Sequence, residues 1–370
     1  MPSHTIDVAV IGGGMVGSAV ALGLARLGRK VLVFDEGDAA IRAARANFGL
    51  VWVQGKGQGM PAYTTLTKRA AKQWLTFQRA LFESTGIDVE HKLTGGLSFC
   101  VGQEEFETQS RRIEALHRAD PQHEMKMIDR HELQKLLPRL PLGERVAGAV
   151  YGKEDGEANP LKLLHAMKIW MKLLGVEVLA GERVLAIEDN TASTRIVTET
   201  GHYQASMTVV AAGLGTTGLS KSIGMQVDIQ PLRGHLVVTE RAERILAVPA
   251  GGLRQAANGT FMIGSSSEHA GMNDSADPLA CGPFLRRAMS IVPSLRRLEV
   301  VRIWAGLRTM TKDGNPVYDT TSTGRVHVVG CHSAVTLAPV HAGELAQALA
   351  EGAVRERYSP FRSGRFDAAA

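Results

Sequence analysis

Cysteine is scarce in this chain of 370 residues, and the three that occur, Cys100, Cys281 and Cys331, stand far apart. They form no C-x-x-C pair, so the sequence predicts neither a zinc site nor an iron–sulfur cluster held by this chain alone. We accordingly predict no metal ligands. Few and widely spaced cysteines are typical of a protein in the reducing cytoplasm.

A strong charge bias is also missing. The formal net charge is +5, the isoelectric point is near 9.1, and no Lys/Arg block is interleaved with aromatic residues. The composition therefore does not indicate nucleic-acid binding, although a mildly basic surface favours anionic substrates or a partner protein. With 44% hydrophobic and 21% charged residues, the chain is typical of a globular protein and is long enough for two domains.

No membrane-spanning segment is predicted. The uncharged run from Val8 to Ala25 comes closest, but it contains five glycines, three of them consecutive, and lacks the basic flank of a signal peptide. A membrane helix needs about twenty predominantly apolar residues. The spacing of the glycines in this run indicates a different role.

The N-terminal segment has the pattern of a strand, a glycine turn and a helix. Val8 to Ile11 form a short run rich in β-branched residues, which is typical of a buried parallel strand. The motif Gly12-x-Gly14-x-x-Gly17 follows at once. Gly12 permits the tight turn, Gly14 lets the backbone approach a pyrophosphate, and Gly17 lets the helix pack closely on the sheet.

The helix after the turn, from about Met15 to Leu27, directs its free N–H groups and positive dipole end at that anion. Met15 and Val16 are therefore candidate contacts. Asp35 ends the second strand 18 residues after Gly17, where a carboxylate accepts hydrogen bonds from ribose hydroxyls. This order of strand, glycines, helix and acid predicts dinucleotide binding.

Two further segments are candidates for contacts to the same ligand. The glycine-rich connection 41–61 is expected to pass under the cofactor, with Arg42 or Arg45 near phosphate; two surface arginines on a short helix are the alternative. A later strand runs into a turn at Ala212 and Gly213, which suits a second backbone contact, and a plain strand end is the alternative.

The alternation of segments predicts two interleaved domains with a ligand site in their cleft. One is doubly wound and the other is mostly β. The predicted ranges are 1–85, 145–215 and 315–370 for the first domain, and 86–144 and 216–314 for the second. The polar tail from Arg355 is expected to fray.

Further motifs follow the glycine turn at wide intervals. They are Asp155-Gly156-x-x-x-Pro160, Val209 to Gly213, Pro231-Leu232-Arg233-Gly234-His235, Trp304-Ala305-Gly306-Leu307-Arg308 with Thr311-Lys312-Asp313-Gly314-x-Pro316, and Gly330 to Pro339. Together they resemble the D-amino acid oxidase superfamily of flavoenzymes, in its glycine oxidase and sarcosine oxidase branch, over about residues 5–350. The resemblance implies FAD rather than NAD. It also implies an α/β fold of mixed α+β type, with a Rossmann-like FAD-binding domain interleaved with a mostly antiparallel β substrate-binding domain.

The sequence departs from that family where Cys331 to Thr336 lack the glycines that normally face the flavin. This segment and the stretch Asn47 to Gly57 resemble the catalytic B subunit of bacterial opine (octopine or nopaline) oxidases. These are relatives of heterotetrameric sarcosine oxidase and of D-hydroxyproline dehydrogenase. The resemblance implies one or two smaller subunits, one carrying an iron–sulfur cluster, and an FMN at a subunit interface.

The resemblance also implies roles for individual residues. Arg308 occupies the carboxylate-binding position, with an ion pair at the domain interface as the alternative. His332 would orient substrate or tune the flavin, or be structural, and His235 would face the substrate. Cys331 would be a flavin attachment point or, as we favour, a small apolar residue at a strand end. Arg254 and His269 are weaker candidates for the second arm of an opine. Further implied FAD contacts are Glu36, Asn47, Val184, Gly306, Arg308, Ser333, Ala334, Val335 and Thr336.

The leading hypothesis is oxidative cleavage of an amino-acid-derived secondary amine. This reaction requires no Ser/His/Asp set, because the flavin supplies the electron sink. A sarcosine or D-hydroxyproline dehydrogenase is the alternative of the same class. A flavin subunit that only relays electrons or scaffolds a complex is an alternative of another class, and an NAD-dependent dehydrogenase is a third.

Overall fold

The computed structural model describes residues 6–37, 43–120 and 124–369. These ranges contain strands and helices in alternation. The strands are β1 Ile6–Ile11, β2 Val31–Asp35, β3 Leu50–Val51, β4 Gly96–Val101, β5 Met125–Asp129, β6 Val146–Gly152, β7 Gly156–Glu157, β8 Glu177–Ala180, β9 Val184–Asp189, β10 Thr194–Thr198, β11 His202–Val210, β12 Ile229–Arg241, β13 Leu253–Gln255, β14 Thr260–Gly264, β15 Val300–Thr311, β16 Val317–Thr320 and β17 Val326–Gly330. The α-helices are α1 Met15–Arg26, α2 Pro61–Thr85, α3 Gln103–Ala119, α4 Arg130–Leu136, α5 Pro160–Leu173, α6 Thr216–Ser222, α7 Gly282–Ile291, α8 Ala334–Val340, α9 Ala346–Ala350 and α10 Val354–Arg357.

The largest sheet has β1 at its centre. The order β16-β17-β11-β1-β2-β8 is parallel except for β16, and β10 and β9 extend it in antiparallel pairing beside β11. A parallel strand needs cover on both faces, which explains why Val8 to Ile11 are uniformly apolar and buried. The carboxyl ends of β1, β2, β11 and β17 therefore meet at one edge, where open α/β sheets bind ligands.

Helices α1, α2, α5, α8 and α9 pack together on one face of this sheet. Gly23 of α1 makes the closest crossing, because a Cβ at this position would lie 2.5 Å from the Ala346 Cβ and 2.6 Å from the Ala342 carbonyl oxygen. Trp74 of α2 is fully buried in the same core and donates through Nε1 to the Thr336 carbonyl at the start of α8. This packing fixes α8 beside the edge of the sheet.

Antiparallel strands form the second half of the molecule. The order β13-β14-β12-β15 makes one sheet and β4-β6-β5 another, and a bridge between Leu97 and Ala250 links them. Apolar residues of both sheets and of α4 and α7 form a second buried core. The long pair β12/β15 runs from this core back to the edge of the parallel sheet, so its residues reach the predicted cleft.

The predicted domain ranges stay a prediction, but the pairing of β6 bears on one boundary. This strand falls in the range predicted for the doubly wound domain, yet it pairs with β4 and β5. The expectation that the tail from Arg355 frays is wrong. Tyr358 and Phe361 are buried against Tyr318, and Ser363 donates through its backbone N–H and Oγ to Asp319 Oδ2.

Among the helices of the described ranges, none combines the length and the apolar composition that crossing a bilayer requires.

Candidate active site

Two adjoining cavities lie at the edge where the parallel strands end. The longer one, of about 680 Å³, extends from the glycine turn to the residues after β17. The smaller one, of about 250 Å³, lies between the β12/β15 pair and the segment 46–56. They share five lining residues, namely Ala43, Asn47, Leu307, Thr309 and His332. A ligand in the long cavity therefore faces a ligand in the small one.

The glycine turn shapes the first end of the long cavity. Gly12 has φ +107°, and a Cβ there would lie 2.4 Å from the Ala211 carbonyl oxygen. At Gly17 a Cβ would lie 1.8 Å from the Gly12 carbonyl oxygen, so these two glycines permit close packing of turn, helix and strand. Gly14 differs, because a Cβ there would meet nothing within 4 Å and would point into open space.

The start of α1 is prepared for an anion. Its N-cap residue, Gly14, offers no side-chain cap, and the described first turn carries no acidic residue. The N–H groups of this turn therefore lack the side-chain partner that commonly satisfies them, and the helix dipole adds positive potential. A phosphate group fits this environment.

Asp35 lies against the same turn. Its Oδ1 accepts from the Gly37 N–H at 2.8 Å, and the residue lines the long cavity. A Cβ on Gly13 would come within 2.2 Å of Asp35 Oδ2, so the middle glycine of the triplet makes room for the carboxylate. The sequence motif did not assign Gly13 this role.

Most residues predicted as cofactor contacts line one of the two cavities. Those that line the long cavity are Gly12, Gly14, Met15, Val16, Asp35, Glu36, Arg45, Asn47, Val184, Ala212, Gly213, His332 and Ala334. Those that line the small cavity are Asn47, Gly306, Arg308, His332, Ser333, Val335 and Thr336. Gly17 lines neither and serves the packing of the turn, and Arg42 lies outside the described residues.

Arg308 projects from β15 into the small cavity. Its Nη2 donates to Ser265 Oγ at 2.5 Å and to the Ser266 carbonyl oxygen at 3.0 Å. Gly234 on β12, which pairs with Gly306, leaves the space that the guanidinium fills, since a Cβ there would lie 2.1 Å from Nη2. Burial lowers the pKa of Arg308, but a guanidinium stays charged at any physiological pH. The result is a fixed, planar cation.

Lys56 also lines the small cavity, although it was not among the residues predicted for the site. It stands between Gly55 and Gly57, both of which have positive φ. Its carbonyl oxygen accepts from Thr64 Oγ1 at 2.9 Å. Burial lowers the pKa of Lys56, while the nearby Asp155 acts in the opposite direction. The spacing G-K-G was the available signal, since two glycines permit the left-handed backbone geometry of a tight turn around the residue between them.

His332 lies where the two cavities meet. Burial, together with the positive charges of Lys56 and Arg308, lowers the pKa of His332 to about 3. The imidazole is therefore neutral near pH 7. The neighbouring Cys331 lines the long cavity, and burial raises the pKa of its thiol to about 12. The thiol is therefore protonated near pH 7. The backbone carbonyl oxygen of Cys331 accepts from Thr309 Oγ1 at 3.0 Å.

His235 is not brought to either cavity, contrary to the prediction. The side chain is fully buried beneath the loop that follows β14. Its Nε2 accepts from the Asp277 N–H at 2.8 Å, and its Nδ1 lies 2.8 Å from Ser266 Oγ. It therefore holds both ends of this loop to β12. The carbonyl oxygen of Ser266 also accepts from Arg308 Nη2. His235 therefore acts on the site only through this loop.

The two weaker candidates for a second substrate arm are also elsewhere. Arg254 forms a buried ion pair with Glu157 at 3.3 Å and lies over the Phe48 ring, with its Cζ 5.9 Å from the ring centroid. His269 is exposed on the loop after β14. Neither residue lines the small cavity. Within the described residues, no group of three or more His, Cys, Asp or Glu side chains is arranged to hold a metal ion.

Residues 7–348 match the DAO family, described as FAD dependent oxidoreductase. The chain belongs to this family of FAD-dependent oxidoreductases. The B subunit of opine oxidase from Agrobacterium tumefaciens (strain Ach5) is 37% identical over 99% of both chains. The B subunit of opine oxidase from Rhizobium meliloti is 36% identical over 99% of both chains. The predicted resemblance is confirmed.

Solved structures show the same fold. Glycine oxidase from Geobacillus kaustophilus superposes with a TM-score of 0.86 at 24% identity, covering 94% of this chain and 95% of that one. L-proline dehydrogenase from P. horikoshii gives a TM-score of 0.84 at 21% identity, covering 100% of this chain and 99% of that one. The predicted fold class is confirmed, and the NAD-dependent alternative is excluded by the family.

The residues of the long cavity fit FAD. The uncapped start of α1 and the open space beside Gly14 suit the pyrophosphate, and the Asp35 carboxylate suits the adenosine ribose. The volume lies within the range of ligand sites, roughly 300–1,000 Å³. At its other end this cavity meets the small cavity at His332, which lines both.

Proposed function

We propose that this enzyme oxidises an opine, an N-(carboxyalkyl) amino acid of the octopine or nopaline type, and releases an amino acid and a 2-oxo acid. The observation that carries the proposal is the small cavity beside the FAD cavity, with the Arg308 guanidinium in it. In the part of the chain that the structure describes, no carboxylate pairs with this guanidinium. The two full-length relatives at 36–37% identity, each named as the B subunit of an opine oxidase, support the choice of substrate.

The reaction removes two electrons and two protons from a carbon and the adjacent amine nitrogen, which gives a C=N bond. Water then adds to that carbon and the C–N bond breaks, which yields an amino acid and a 2-oxo acid. FAD, when bound, supplies the two-electron acceptor, and the protein supplies position and electrostatic field. No side chain is required as a nucleophile, so the absence of a catalytic triad among the predicted residues is consistent with the chemistry.

We assign Arg308 to one substrate carboxylate. A guanidinium presents paired N–H donors that match the two oxygens of a carboxylate, and Ser265 and Ser266 hold it in place. His332 lies between this residue and the FAD cavity. Because its imidazole is neutral, it can orient the substrate by hydrogen bonding without adding positive charge beside the amine, which must be unprotonated to be oxidised. Trp52 and Leu236 provide apolar walls that exclude water.

Anaerobic titration of the flavin spectrum tests this function. The holoenzyme is titrated with octopine, nopaline, sarcosine and D-hydroxyproline, and the products are assayed for a 2-oxo acid. We expect an opine to bleach the spectrum and to release one 2-oxo acid per flavin reduced. Bleaching by sarcosine or D-hydroxyproline alone would establish the alternative dehydrogenase, and no bleaching by any of the four would favour an electron-relay or scaffold subunit.

The variant Arg308→Lys tests the carboxylate assignment. Lysine keeps the charge but loses the planar fork, so the Michaelis constant is expected to rise while FAD stays bound. Loss of charge-assisted hydrogen bonds worth about 1.5–3 kcal/mol corresponds to about 10- to 150-fold. An unchanged Michaelis constant, measured with the substrate that bleaches wild-type enzyme best, would contradict the role of Arg308.

We also propose that the chain works in a complex of the reducing cytoplasm with one or two smaller subunits. One of these would carry an iron–sulfur cluster, and an FMN would lie at a subunit contact. Support comes from the names of both opine oxidase relatives, which describe each of them as one subunit of an enzyme. The three cysteines of this chain are separate, buried free thiols and offer no cluster ligands together.

Tagged protein purified from its native operon should bring these subunits with it. A lone monomer that turns over rapidly with oxygen as sole acceptor would refute the complex.

A further inference from the structure

The small cavity contains a second cation, Lys56, and the proposed role of Arg308 leaves this lysine without an assigned ligand. Lys56 and Arg308 both line it, and the charges of both act on the imidazole of His332. The ammonium of Lys56 also acts on the buried thiol of Cys331. Lys56 thus lines the same cavity as His332, which also lines the FAD cavity.

The backbone around Lys56 is held rigidly by groups distant in sequence. Asp155 Oδ1 accepts from the N–H groups of Val53 and Gln54 at 2.5 and 3.2 Å, and its Oδ2 accepts from Gln54 Nε2 at 2.7 Å. The two flanking glycines adopt positive φ, and a Cβ on Gly57 would lie 2.4 Å from the Thr64 N. Lys56 is therefore delivered to the cavity by a fixed turn rather than by a loose loop.

The carboxylate whose charge acts on Lys56, that of Asp155, is already engaged. Asp155 acts on the ammonium only at a distance, since its two oxygens accept the three N–H groups of the Val53–Gln54 segment. Among the ion pairs of the described residues, none includes Lys56 or Arg308. Charges removed from water are strongly unfavourable unless they are paired. Two unpaired cations in one cavity therefore create a site that favours a ligand with two negative charges.

We propose that Lys56 binds the second carboxylate of the substrate while Arg308 binds the first. Lys56 would thus set a preference for amines that carry a carboxylate on both sides of the nitrogen. This rests on the proposed function, because an N-(carboxyalkyl) amino acid has that arrangement. A monocarboxylate such as sarcosine leaves Lys56 unpaired in the cavity, so the site selects against it.

Two unreactive probes test this assignment directly. Thiodiglycolate has a carboxylate on each side of a sulfur that replaces the amine nitrogen, and (methylthio)acetate lacks one of the two carboxylates. Their dissociation constants are measured from perturbation of the flavin spectrum in the holoenzyme, without turnover. Lys56→Met removes the charge with little change in size, and Lys56→Arg keeps a charge. Lys30→Met, an exposed lysine at the opposite edge of the parallel sheet, removes the same charge far from the cavity.

Wild type should bind thiodiglycolate about 10- to 150-fold more tightly than (methylthio)acetate, and Lys56→Met should lose most of this preference. Its affinity for (methylthio)acetate should stay within about twofold of wild type. Lys56→Arg should restore part of the preference, and Lys30→Met should leave it intact. Thermal unfolding and flavin content confirm that each variant is folded and loaded.

The proposal is overturned if Lys56→Met keeps the wild-type preference, or if wild type binds both probes equally. In either case, bleaching of the flavin by an opine would still stand as evidence for the proposed function. Conversely, if no opine bleaches the flavin but the two probes behave as described, the proposed reaction fails while the second carboxylate site is retained.

Discussion

The most informative perturbation is one that moves Arg308 without replacing it. Gly234 on β12 pairs with Gly306 and lies diagonally across from Arg308, and a Cβ there would lie 2.1 Å from the Arg308 Nη2, 2.5 Å from Cζ and 2.7 Å from Nη1. Ordinary contact begins at 3.4 Å, so Gly234→Ala requires the guanidinium to retreat by at least 3.4 − 2.1 = 1.3 Å. Such a shift breaks or misaligns its bonds to Ser265 and Ser266.

The change should spare the fold, because the displaced atoms are the free end of a long side chain and the strand backbone at Gly234 has no positive φ. The free energy of unfolding should change by less than about 1 kcal/mol. Loss of an aligned, charge-assisted contact to the substrate carboxylate should raise the Michaelis constant by about 10- to 150-fold. Gly234→Ala is thus expected to behave like Arg308→Lys, although the arginine is still present.

The assay compares steady-state kinetics, flavin content and thermal unfolding of wild type, Gly234→Ala and Arg308→Lys. Gly343→Ala is the matched control, since a Cβ at this exposed helical position meets nothing within 4 Å. The role of the Arg308 guanidinium is refuted if Gly234→Ala is folded and loaded with FAD, yet has the Michaelis constant of wild type while Arg308→Lys does not. In that case the guanidinium does not bind substrate from the position described here.

Two further predictions concern the cofactor and the core. Gly14→Val should fold but purify colourless, because its side chain enters the open space assigned to the pyrophosphate without meeting protein atoms; full flavin content, measured by absorbance, would exclude that assignment. Burial lowers the pKa of His327 from 6.5 to about 4. Between these two pH values the unfolded chain binds a proton at His327 that the folded chain does not bind. The free energy of unfolding therefore falls as the pH falls through this window. Between pH 7 and pH 5, the free energy of unfolding measured with urea should therefore fall by about 2 kcal/mol less for His327→Leu than for wild type. Equal losses would show that His327 is protonated in the folded state.

The sequence predicted the parts of the site that are built locally. The glycine turn, α1 and Asp35 lie within one βαβ unit, so the spacing of a few residues determines their arrangement. Arg308 could be assigned through a motif on a single strand. Lys56 and Gly234 were missed because their roles depend on contacts across the fold. Lys56 is positioned through Asp155, about a hundred residues away, and Gly234 matters only because β12 pairs with β15.

Two of the expectations that failed, those for His235 and for the C-terminal tail, have related causes. His235 was placed by analogy with a motif, but the loop that covers β12 engages both of its ring nitrogens. The tail looked polar because its aromatic residues, which include the buried Tyr358 and Phe361, are separated by charged and turn-forming residues. Their partner, Tyr318, lies in a different part of the sequence. Burial that depends on a distant partner leaves no local pattern.

The central position of β1 has a consequence for synthesis on the ribosome. Its parallel partner β11 is about 200 residues further along the chain. At a synthesis rate of roughly 5–20 residues per second, one edge of β1 therefore remains unpaired for about 10–40 s. The cavity for FAD also needs Ala212 and His332, which emerge later still. The cavity that fits FAD therefore cannot close until β17 and the residues after it have been made, so we expect the cofactor to be loaded late in synthesis.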